Sequence, residues 1–222
     1  MDRQQSQQLI LKETQNSTLV AKNQKDLYFK KGEDPLSSGD TLKYFYFVMS
    51  GKIKIYDIDL ETSKEQTLYM LSQGDMFDVV ALLDGKPNQY ISEVLEDAHL
   101  IQIPLVDIEQ MILSDAKFRQ YFYRYVAAQL KSMESLAVSL SFYDVYHRVL
   151  QLFARFTQTV DGRSKLRVID NLSHNEIAAM VGSVRKVVNR ALQKLKQDNI
   201  IEVSRKNIHI KNFQKLLDRL NV

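Results

Sequence analysis

Four polar side chains near the start of one predicted helix are of the types that contact nucleic-acid bases. In the segment SVRKVVNRALQKLKQ, Arg185, Lys186, Asn189 and Arg190 occur at positions i, i+1, i+4 and i+5. On a helix with 3.6 residues per turn, these positions cover one sector. Arginine, lysine and asparagine hydrogen-bond guanine and adenine in the major groove, whereas a solvated basic face is the alternative interpretation. The opposite, buried side is predicted to consist of Val187, Val188, Ala191, Leu192 and Leu195.

Two helices joined by a tight turn are predicted to position these side chains. The segment Ser173–Glu176 has the serine-to-glutamate spacing of a capping box, which begins a helix. That short helix is expected over Asn175–Val181 and should stop at Gly182. The second helix, which contains the four polar residues, then begins at Ser183 or Val184. This pattern is typical of a helix-turn-helix, whose second helix reads DNA with its N-terminal residues.

The residues that follow predict a β-hairpin with two cations at its tip. Ile200–Val203 and Ile208–Ile210 flank the polar sequence SRKN, which gives the hairpin the character of a wing. Helices are predicted before and after this region, over Asp144–Val160 and Phe213–Leu220. The candidate contacts to DNA phosphate are Ser173, Ser183, Arg205 and Lys206.

The charges of the chain are unevenly distributed. Residues 1–140 carry 15 Lys+Arg and 20 Asp+Glu, a net charge of −5, whereas residues 141–222 carry 15 and 7, a net charge of +8. An acidic part joined to a basic part indicates two modules, the second of which faces a polyanion. A chance asymmetry on solvated surfaces is the alternative.

Residues 27–105 are predicted to form β-structure. Short runs rich in aromatic and β-branched residues are separated by turn residues such as Ser50-Gly51, as in a sandwich or barrel. The run KIKIYDI alternates polar and apolar residues, as a half-buried strand does, and Phe77–Leu83 is predicted to be a short helix. The predicted strands are Tyr44–Met49, Lys52–Asp57, Gln66–Leu71, Tyr90–Leu95 and His99–Ile103.

A long helix is predicted between the two modules. Residues 117–140 contain neither glycine nor proline, and their apolar residues follow 4-4-3-4-3 spacing along one stripe. Either the β module covers this stripe or two copies of the helix pack as a dimer seam, and the periodicity alone leaves both open. The stripe consists of Phe122, Val126, Leu130, Met133, Ala137 and Leu140.

Several classes of site are excluded or unsupported by the composition. The chain has no cysteine, which excludes disulfides, thiolate metal sites and cysteine nucleophiles. No pair among His99, His147, His174 and His209 has metal-ligand spacing, and the phosphate-loop and serine-hydrolase motifs are missing. We therefore predict no enzymatic activity, no catalytic residue, no metal and no cofactor. A polar N-terminus and the lack of a long apolar run predict a cytoplasmic protein that does not contact membrane.

The chain resembles the Crp/Fnr family of transcription regulators, the group of the cyclic-AMP receptor protein and the fumarate–nitrate regulator. The resemblance rests on the segments FKKGE, YFVMSGKIKIY, LSQGDMF, ALLDGKP and LIQIP, and on LSHNEIAAMVGSVRKVVNRALQKLKQDNII. It implies an α+β fold with a double-stranded β-roll of jelly-roll type over residues 1–105. The β-roll would be followed by a helix pair over 106–141, which includes the long dimerisation helix, and by a winged helix-turn-helix over 142–222. It also implies a homodimer on a palindromic site in double-stranded DNA, with RNA polymerase as a further partner of an activator.

The effector site departs from the family pattern. Cyclic-nucleotide binders resemble F-G-E-L-A-L-L…P-R-S/T-A, in which the glycine and arginine meet the phosphate and the glutamate holds the ribose. Here Asp78 stands for the glycine, Val79 for the glutamate and Asn88 for the arginine. With Phe77 and Gln89 these residues form a degenerate pocket, which argues against a cyclic nucleotide. An unknown small molecule or no effector remains, and His99 or His147 could still serve as a haem ligand.

The recognition helix departs from the family pattern as well. The family often shows S-R-E-T-V-S-R, where this chain has VRKVVNR, so Arg185 and Arg190 are retained. Lys186 replaces a glutamate that accepts from cytosine, and a lysine favours guanine or phosphate. We therefore expect an operator that differs from the family's usual half-site. Two rival hypotheses are a small-molecule sensor whose basic module binds an acidic protein, and a metal- or haem-dependent enzyme.

Overall fold

A computed structural model describes residues 23–36, 42–87, 89–160, 163–204 and 207–220. None of the helices in this part of the chain is long and apolar enough to cross a membrane. The elements within it are, in order, β1 (Lys25–Phe29), β2 (Tyr44–Asp59), β3 (Lys64–Leu71), β4 (Met76–Phe77), α1 (Val79–Asp84), β5 (Ile91–Pro104), α2 (Leu105–Ser114), α3 (Ala116–Phe142), α4 (Val145–Phe156), β6 (Thr157–Val160), β7 (Arg163–Leu166), α5 (His174–Met180), α6 (Arg185–Gln197), β8 (Ile201–Ser204), β9 (Asn207–Ile210) and α7 (Phe213–Leu220).

These elements form two compact units. The first unit comprises the described residues up to Tyr56 together with Tyr69–Glu134, and the second comprises Asp57–Leu68 together with the described residues from Ser135 onward. The long helix α3 therefore contributes residues to both units. A five-stranded sheet, a long helix and a C-terminal helix-turn-helix confirm the predicted α+β fold.

The sheet of the first unit is built around two long antiparallel strands. Its order is β1-β5-β2-β3, with β4 paired to β2. The prediction of a turn at Ser50-Gly51 was wrong, because β2 continues through it with an irregular register against β5. Gly51 has a φ of +91°, and a Cβ there would lie 2.5 Å from the backbone oxygen of Asp97. Glycine therefore allows a bulge in β2 at which β5 approaches closely. The two strands predicted on each side of such a break form one long strand, so that four predicted strands become β2 and β5.

The first part of β2 is buried on both faces. Phe45 and Phe47 pack into a cluster on one side, whereas Tyr46 and Val48 pack into a second cluster on the other. The first cluster also contains three fully or almost fully buried side chains of helix α3, namely Phe118, Phe122 and Tyr125. The long helix therefore covers one face of the sheet.

The second part of β2 departs from simple alternation. Ile53 and Ile55 are fully buried as predicted, but Lys54 between them is also buried, with 4% of its surface exposed. Its ammonium group lies 2.8 Å from a carboxylate oxygen of Glu93 and 4.0 Å from the centre of the Tyr56 ring. A cross-strand carboxylate and an aromatic face thus replace the water that the prediction assigned to this lysine.

The apolar stripe of α3 is covered only in part. Phe122 was predicted to lie in a dimer seam, but its side chain is fully buried against the sheet of its own chain. Val126 and Met133 are half-buried, while Leu130 is 61% exposed and Leu140 39% exposed. The first turns of the helix thus belong to the core, and the later turns present apolar side chains.

The second unit begins with α4 and a hairpin that the sequence analysis missed. The carboxylate of Asp144 caps α4 by accepting from the backbone N–H of His147 at 2.8 Å. The helix ends at Phe156 rather than at the predicted Val160, because Thr157–Val160 pairs with Arg163–Leu166 as a β-hairpin. The first strand of this hairpin has the sequence TQTV, in which three of the four residues are β-branched, and β-branched residues favour strands.

The C-terminal elements follow the predictions more closely. The predicted hairpin is confirmed as β8 and β9, which pair in antiparallel register from Ile201↔Ile210 to Ser204↔Asn207. The predicted C-terminal helix is confirmed over Phe213–Leu220.

The buried hydroxyl of Tyr125 joins α3 to the turn before β4. It accepts a hydrogen bond from the backbone N–H of Met76 at 3.0 Å and lies 3.1 Å from a carboxylate oxygen of Asp75, to which it donates. The Nε2 group of Gln129 donates to the same hydroxyl at 2.6 Å. Asp75, which is fully buried, also accepts from the backbone N–H of Ser72 at 2.9 Å.

We expect Tyr125→Phe to lower the free energy of unfolding by about 1–3 kcal/mol, because it leaves buried groups around Asp75 without this hydrogen-bonding partner. Urea unfolding at one fixed protein concentration measures the change. The matched control is Tyr123→Phe on the same helix, where the side chain is 56% exposed and the loss should stay near zero. Equal effects of the two substitutions would contradict the role of the Tyr125 hydroxyl.

Candidate functional site

The first helix of the helix-turn-helix begins with the predicted capping box. The hydroxyl of Ser173 accepts from the backbone N–H of Glu176 at 3.2 Å, and the Glu176 carboxylate accepts in return from the backbone N–H of Ser173. The helix covers His174–Met180, close to the predicted bounds. Ser173, a candidate phosphate contact, is exposed and already serves as this cap.

A sharp turn with little free space joins the two helices. Gly182 has a φ of +62°, and the backbone N–H of Ser183 donates to the carbonyl of Ala178 at 2.9 Å. A Cβ at Gly182 would lie 2.6 Å from Cδ2 of Leu140 and 2.8 Å from Oε1 of Gln66. The left-handed backbone conformation therefore favours glycine here, and a larger residue would also displace the ends of the Leu140 and Gln66 side chains.

The second helix presents its cations at its N-terminal end. It begins at Arg185, and its N-cap residue Val184 makes no side-chain capping bond. Arg185, Lys186 and Arg190 are all exposed. The predicted buried side is confirmed for Val188, Ala191, Leu192 and Leu195, but wrong for Val187, which is 36% exposed. Val187 lies on the edge between the two sides of the helix, which explains this error.

Asn189, the fourth predicted base-reading residue, is held by a neighbour. Its Oδ1 lies 2.5 Å from Nδ1 of His174, and both side chains are half-buried. The bond links the first turn of α5 to the second turn of α6. His174 thus fixes the side chain of Asn189, a role that the sequence analysis did not assign to it.

The far end of α6 is anchored by α4 and α7. The hydroxyl of Tyr146 donates to a carboxylate oxygen of Asp198 at 3.3 Å, and Lys194 lies 4.4 Å from the centre of the Tyr146 ring. Arg219 of α7 lies 3.5 Å from the same carboxylate of Asp198. Burial raises the pKa of the Tyr146 phenol, and the nearby Asp198 raises it further. The phenol therefore remains a proton donor at neutral pH.

Two candidate phosphate contacts lie outside the part of the chain that is described. Arg205 and Lys206 come between β8 and β9 in the sequence. The hairpin itself is tied to the unit by the backbone N–H of Ile208, which donates to the carbonyl of Asp170 at 3.0 Å. Ser183, the remaining candidate, is half-buried at the start of α6.

The first unit holds a cavity of about 230 Å³ between α1, the strands β3 and β4, and α3. Phe77, Asp78 and Val79, three of the residues assigned above to a degenerate effector pocket, line this cavity, whereas Gln89 does not line it and is exposed. Asn88 lies outside the described residues. The other lining residues were not predicted. Met76, Val80 and Leu83 lie beside the predicted residues in the sequence, whereas the rest come from more distant parts of the chain: Tyr69, Leu71, Tyr90, Val126, Gln129, Leu130 and Met133.

One carboxylate borders this cavity. Asp78 is 1% exposed, and its Oδ1 accepts from the backbone N–H of Ala81 at 3.3 Å as the cap of α1. Burial raises the pKa of the Tyr69 phenol, and Tyr90 and Asp78 raise it further. None of the described lining residues is a lysine, arginine or histidine.

Two family models match the chain. The model of the cyclic nucleotide-binding domain matches residues 26–115. The model of the Crp-like helix-turn-helix domain matches residues 146–219. Together they include the sheet, the cavity-lining helix α1 and the whole helix-turn-helix.

Curated proteins and solved structures resemble the chain over most of its length. A CRP-like cAMP-activated global transcriptional regulator of Mycobacterium tuberculosis is 26% identical over 195 residues, which cover 86% of either chain. A global nitrogen regulator of Synechocystis sp. is 23% identical and covers 83% of either chain. Among structures, a CooA mutant from Carboxydothermus hydrogenoformans aligns with a TM-score of 0.78 at 20% identity and covers 95% of both chains. FixK2 from Bradyrhizobium japonicum aligns with a TM-score of 0.74 at 20% identity, over 88% of this chain and 96% of that one.

We expect Gly182→Ala to lower the free energy of unfolding by about 1–2 kcal/mol, the cost of a left-handed alanine. The two closest atoms that the new Cβ would meet are the ends of the Leu140 and Gln66 side chains, which can move aside. The control is Gly85→Ala, where φ is +71° and nothing lies within 4 Å of the added Cβ. Thermal and urea unfolding of both variants should give similar losses. A much larger loss for Gly182→Ala would show that Leu140 and Gln66 cannot move.

Proposed function

This chain belongs to the Crp/Fnr family of transcription regulators, and we propose that it acts as a homodimer that binds a palindromic DNA site. The family comprises transcription regulators rather than enzymes, and its helix-turn-helix domain binds DNA. The observation that carries the proposal is the exposed N-terminal end of α6, where Arg185, Lys186 and Arg190 lie on a helix that is anchored at its other end.

We assign base contacts to Arg185, Lys186, Asn189 and Arg190. The cations are exposed on the first two turns of α6, the part of a recognition helix that enters the major groove. Asn189 is held by His174 at 2.5 Å, so its amide meets DNA in a defined orientation. Ser173, Ser183, Arg205 and Lys206 are the proposed phosphate contacts, which position the protein without reading sequence.

The exposed apolar residues of α3 support a homodimer. Leu130, Ala137 and Leu140 are exposed and Met133 is half-buried along one side of the helix. A second copy of α3 packed on this side would remove these side chains from water, as in a two-helix seam. A dimer with twofold symmetry would read two half-sites about one helical turn of DNA apart.

The cyclic nucleotide that the matched domain model implies does not fit the cavity. A cyclic phosphate carries a negative charge, and binding sites for such groups supply arginine, lysine or backbone N–H donors. Among its side chains, the described lining supplies the Asp78 carboxylate and no arginine or lysine, and the Val79 side chain has no group to hold a ribose hydroxyl. We therefore propose a regulator whose effector is another small molecule, or which binds DNA without one.

An effector would act by shifting populations between arrangements of the long helices, and hence of the two recognition helices. An activator of this type would also contact RNA polymerase, and the protein would work in the cytoplasm.

The test is a selection from random double-stranded DNA with purified protein and no added ligand. We expect a palindrome with two half-sites to be enriched. Binding that depends strongly on salt but shows no sequence preference would contradict the proposal, and would favour a basic module that binds an acidic protein.

We expect Lys186→Glu to change which base is preferred at one position of each half-site, because a carboxylate accepts where an ammonium group donates. The binding free energies of the old and new bases should change relative to each other by about 1–3 kcal/mol. The control is Lys196→Glu, which makes the same charge change on an exposed residue at the far end of α6. It should weaken binding to all sequences alike, if at all. Repeating the selection with both variants gives the measurement, and a uniform loss for Lys186→Glu would refute its role in base reading.

A further inference from the structure

The cavity of the first unit is apolar on almost every side. Leu71, Met76 and Phe77 come from the strands, Val79, Val80 and Leu83 from α1, and Val126, Leu130 and Met133 from α3. Ligand sites of this kind gain affinity from apolar contact and use a few polar groups for orientation.

The polar groups at the cavity are few, and they define its charge. Tyr69 has a raised pKa and is therefore neutral at physiological pH. The amide nitrogen of Gln129 already donates to Tyr125 at 2.6 Å. The Asp78 carboxylate is thus the formal charge that the described lining contributes.

The volume indicates the size of the group that the cavity can hold. A dry apolar cavity of about 150 Å³ holds one benzene molecule. The cavity here measures about 230 Å³ and therefore accommodates a molecule of one or two fused rings. Such a molecule would touch α1 on one side and α3 on the other.

We propose that this cavity binds an uncharged, mainly apolar molecule of one or two rings and rejects anions. Burial of a ring against the aliphatic and aromatic walls supplies the affinity. An anion would have to lose its water beside the buried Asp78 carboxylate, with no lysine, arginine or histidine in the described lining to offset the cost. This inference rests on the proposed function in one respect, namely that the molecule bound in the cavity is the effector of the regulator.

The occupant would lie against residues that also belong to the proposed dimer side of α3. Leu130 and Met133 line the cavity and lie on the partly uncovered stripe. A bound ring therefore changes the position of side chains that a second α3 would contact. A ligand without a phosphate group would in this way affect how the two copies of α3 pack.

The test uses two probes of nearly the same shape, neutral indole and the anion indole-3-carboxylate, with the full-length protein and no DNA. Calorimetric titration should show saturable binding of one indole per chain at concentrations below about 1 mM. The carboxylate should bind at least about tenfold more weakly, because it adds a second negative charge beside Asp78.

Methyl signals of the methionines locate the probe. With ¹³C-methyl methionine, the signals of Met76 and Met133 should shift on addition of indole, since both residues line the cavity. The signal of Met111, which is buried in the core but outside the cavity, should stay in place. Shifts confined to other methionines would overturn the assignment of the site.

Two matched variants test the charge. Asp78→Asn keeps a side chain able to cap α1 and should reduce the difference between the two probes to less than about threefold. Asp84→Asn removes the same charge from an exposed residue of α1 outside the cavity and should leave the difference unchanged. The proposal is overturned if wild-type protein binds no indole, or if the carboxylate binds as well as indole. Because no DNA is present, neither result bears on whether the protein reads DNA.

Discussion

The buried hydroxyl of Tyr125 is the contact on which the arrangement of the first unit depends. It joins helix α3 to the Asp75 carboxylate and to the backbone of Met76, where β4 begins. Buried polar groups are stable only where their hydrogen bonds are made, so this network holds the helix in one rotation about its axis. That rotation places Phe118 and Phe122 in the core and leaves Leu130 at the surface.

The same rotation determines what the cavity can recognise. Gln129 lies one turn after Tyr125 and bonds to it, and Val126 and Met133 flank it on the wall that faces α1. The helix thus contributes apolar side chains to the cavity, while Asp78 lies on the opposite side as the cap of α1. The matched domain model thus covers a cavity whose described lining includes the Asp78 carboxylate and no cationic side chain.

The sequence predicted best those parts of the fold that local signals determine. The capping box at Ser173, the turn at Gly182 and the period of α6 each depend on residues close together in the sequence, and they were confirmed except for Val187 in α6. The bond between His174 and Asn189 joins residues 15 positions apart, and the bond between Tyr125 and Asp75 joins residues 50 positions apart. Such pairs depend on tertiary packing, which a local pattern does not contain. Gly51 was misread for a similar reason, because a glycine that ends a strand and one that allows a bulge look alike until the neighbouring strand is placed.

The stripe of α3 shows how one periodic pattern can serve two purposes along a single helix. Its early member Phe122 is covered by the chain's own sheet, whereas Leu130 is exposed two turns later. The helix is 27 residues long, and residues on either side of Glu134 belong to different units. Rotating the whole helix would break the buried bonds of Tyr125, each of which costs about 1–3 kcal/mol when a partner is left unsatisfied. A ring in the cavity contacts Leu130 and Met133, one to two turns beyond that anchor. The physically accessible response is therefore a change in the later turns of α3, beyond Tyr125, which are the turns that continue into the DNA-binding unit.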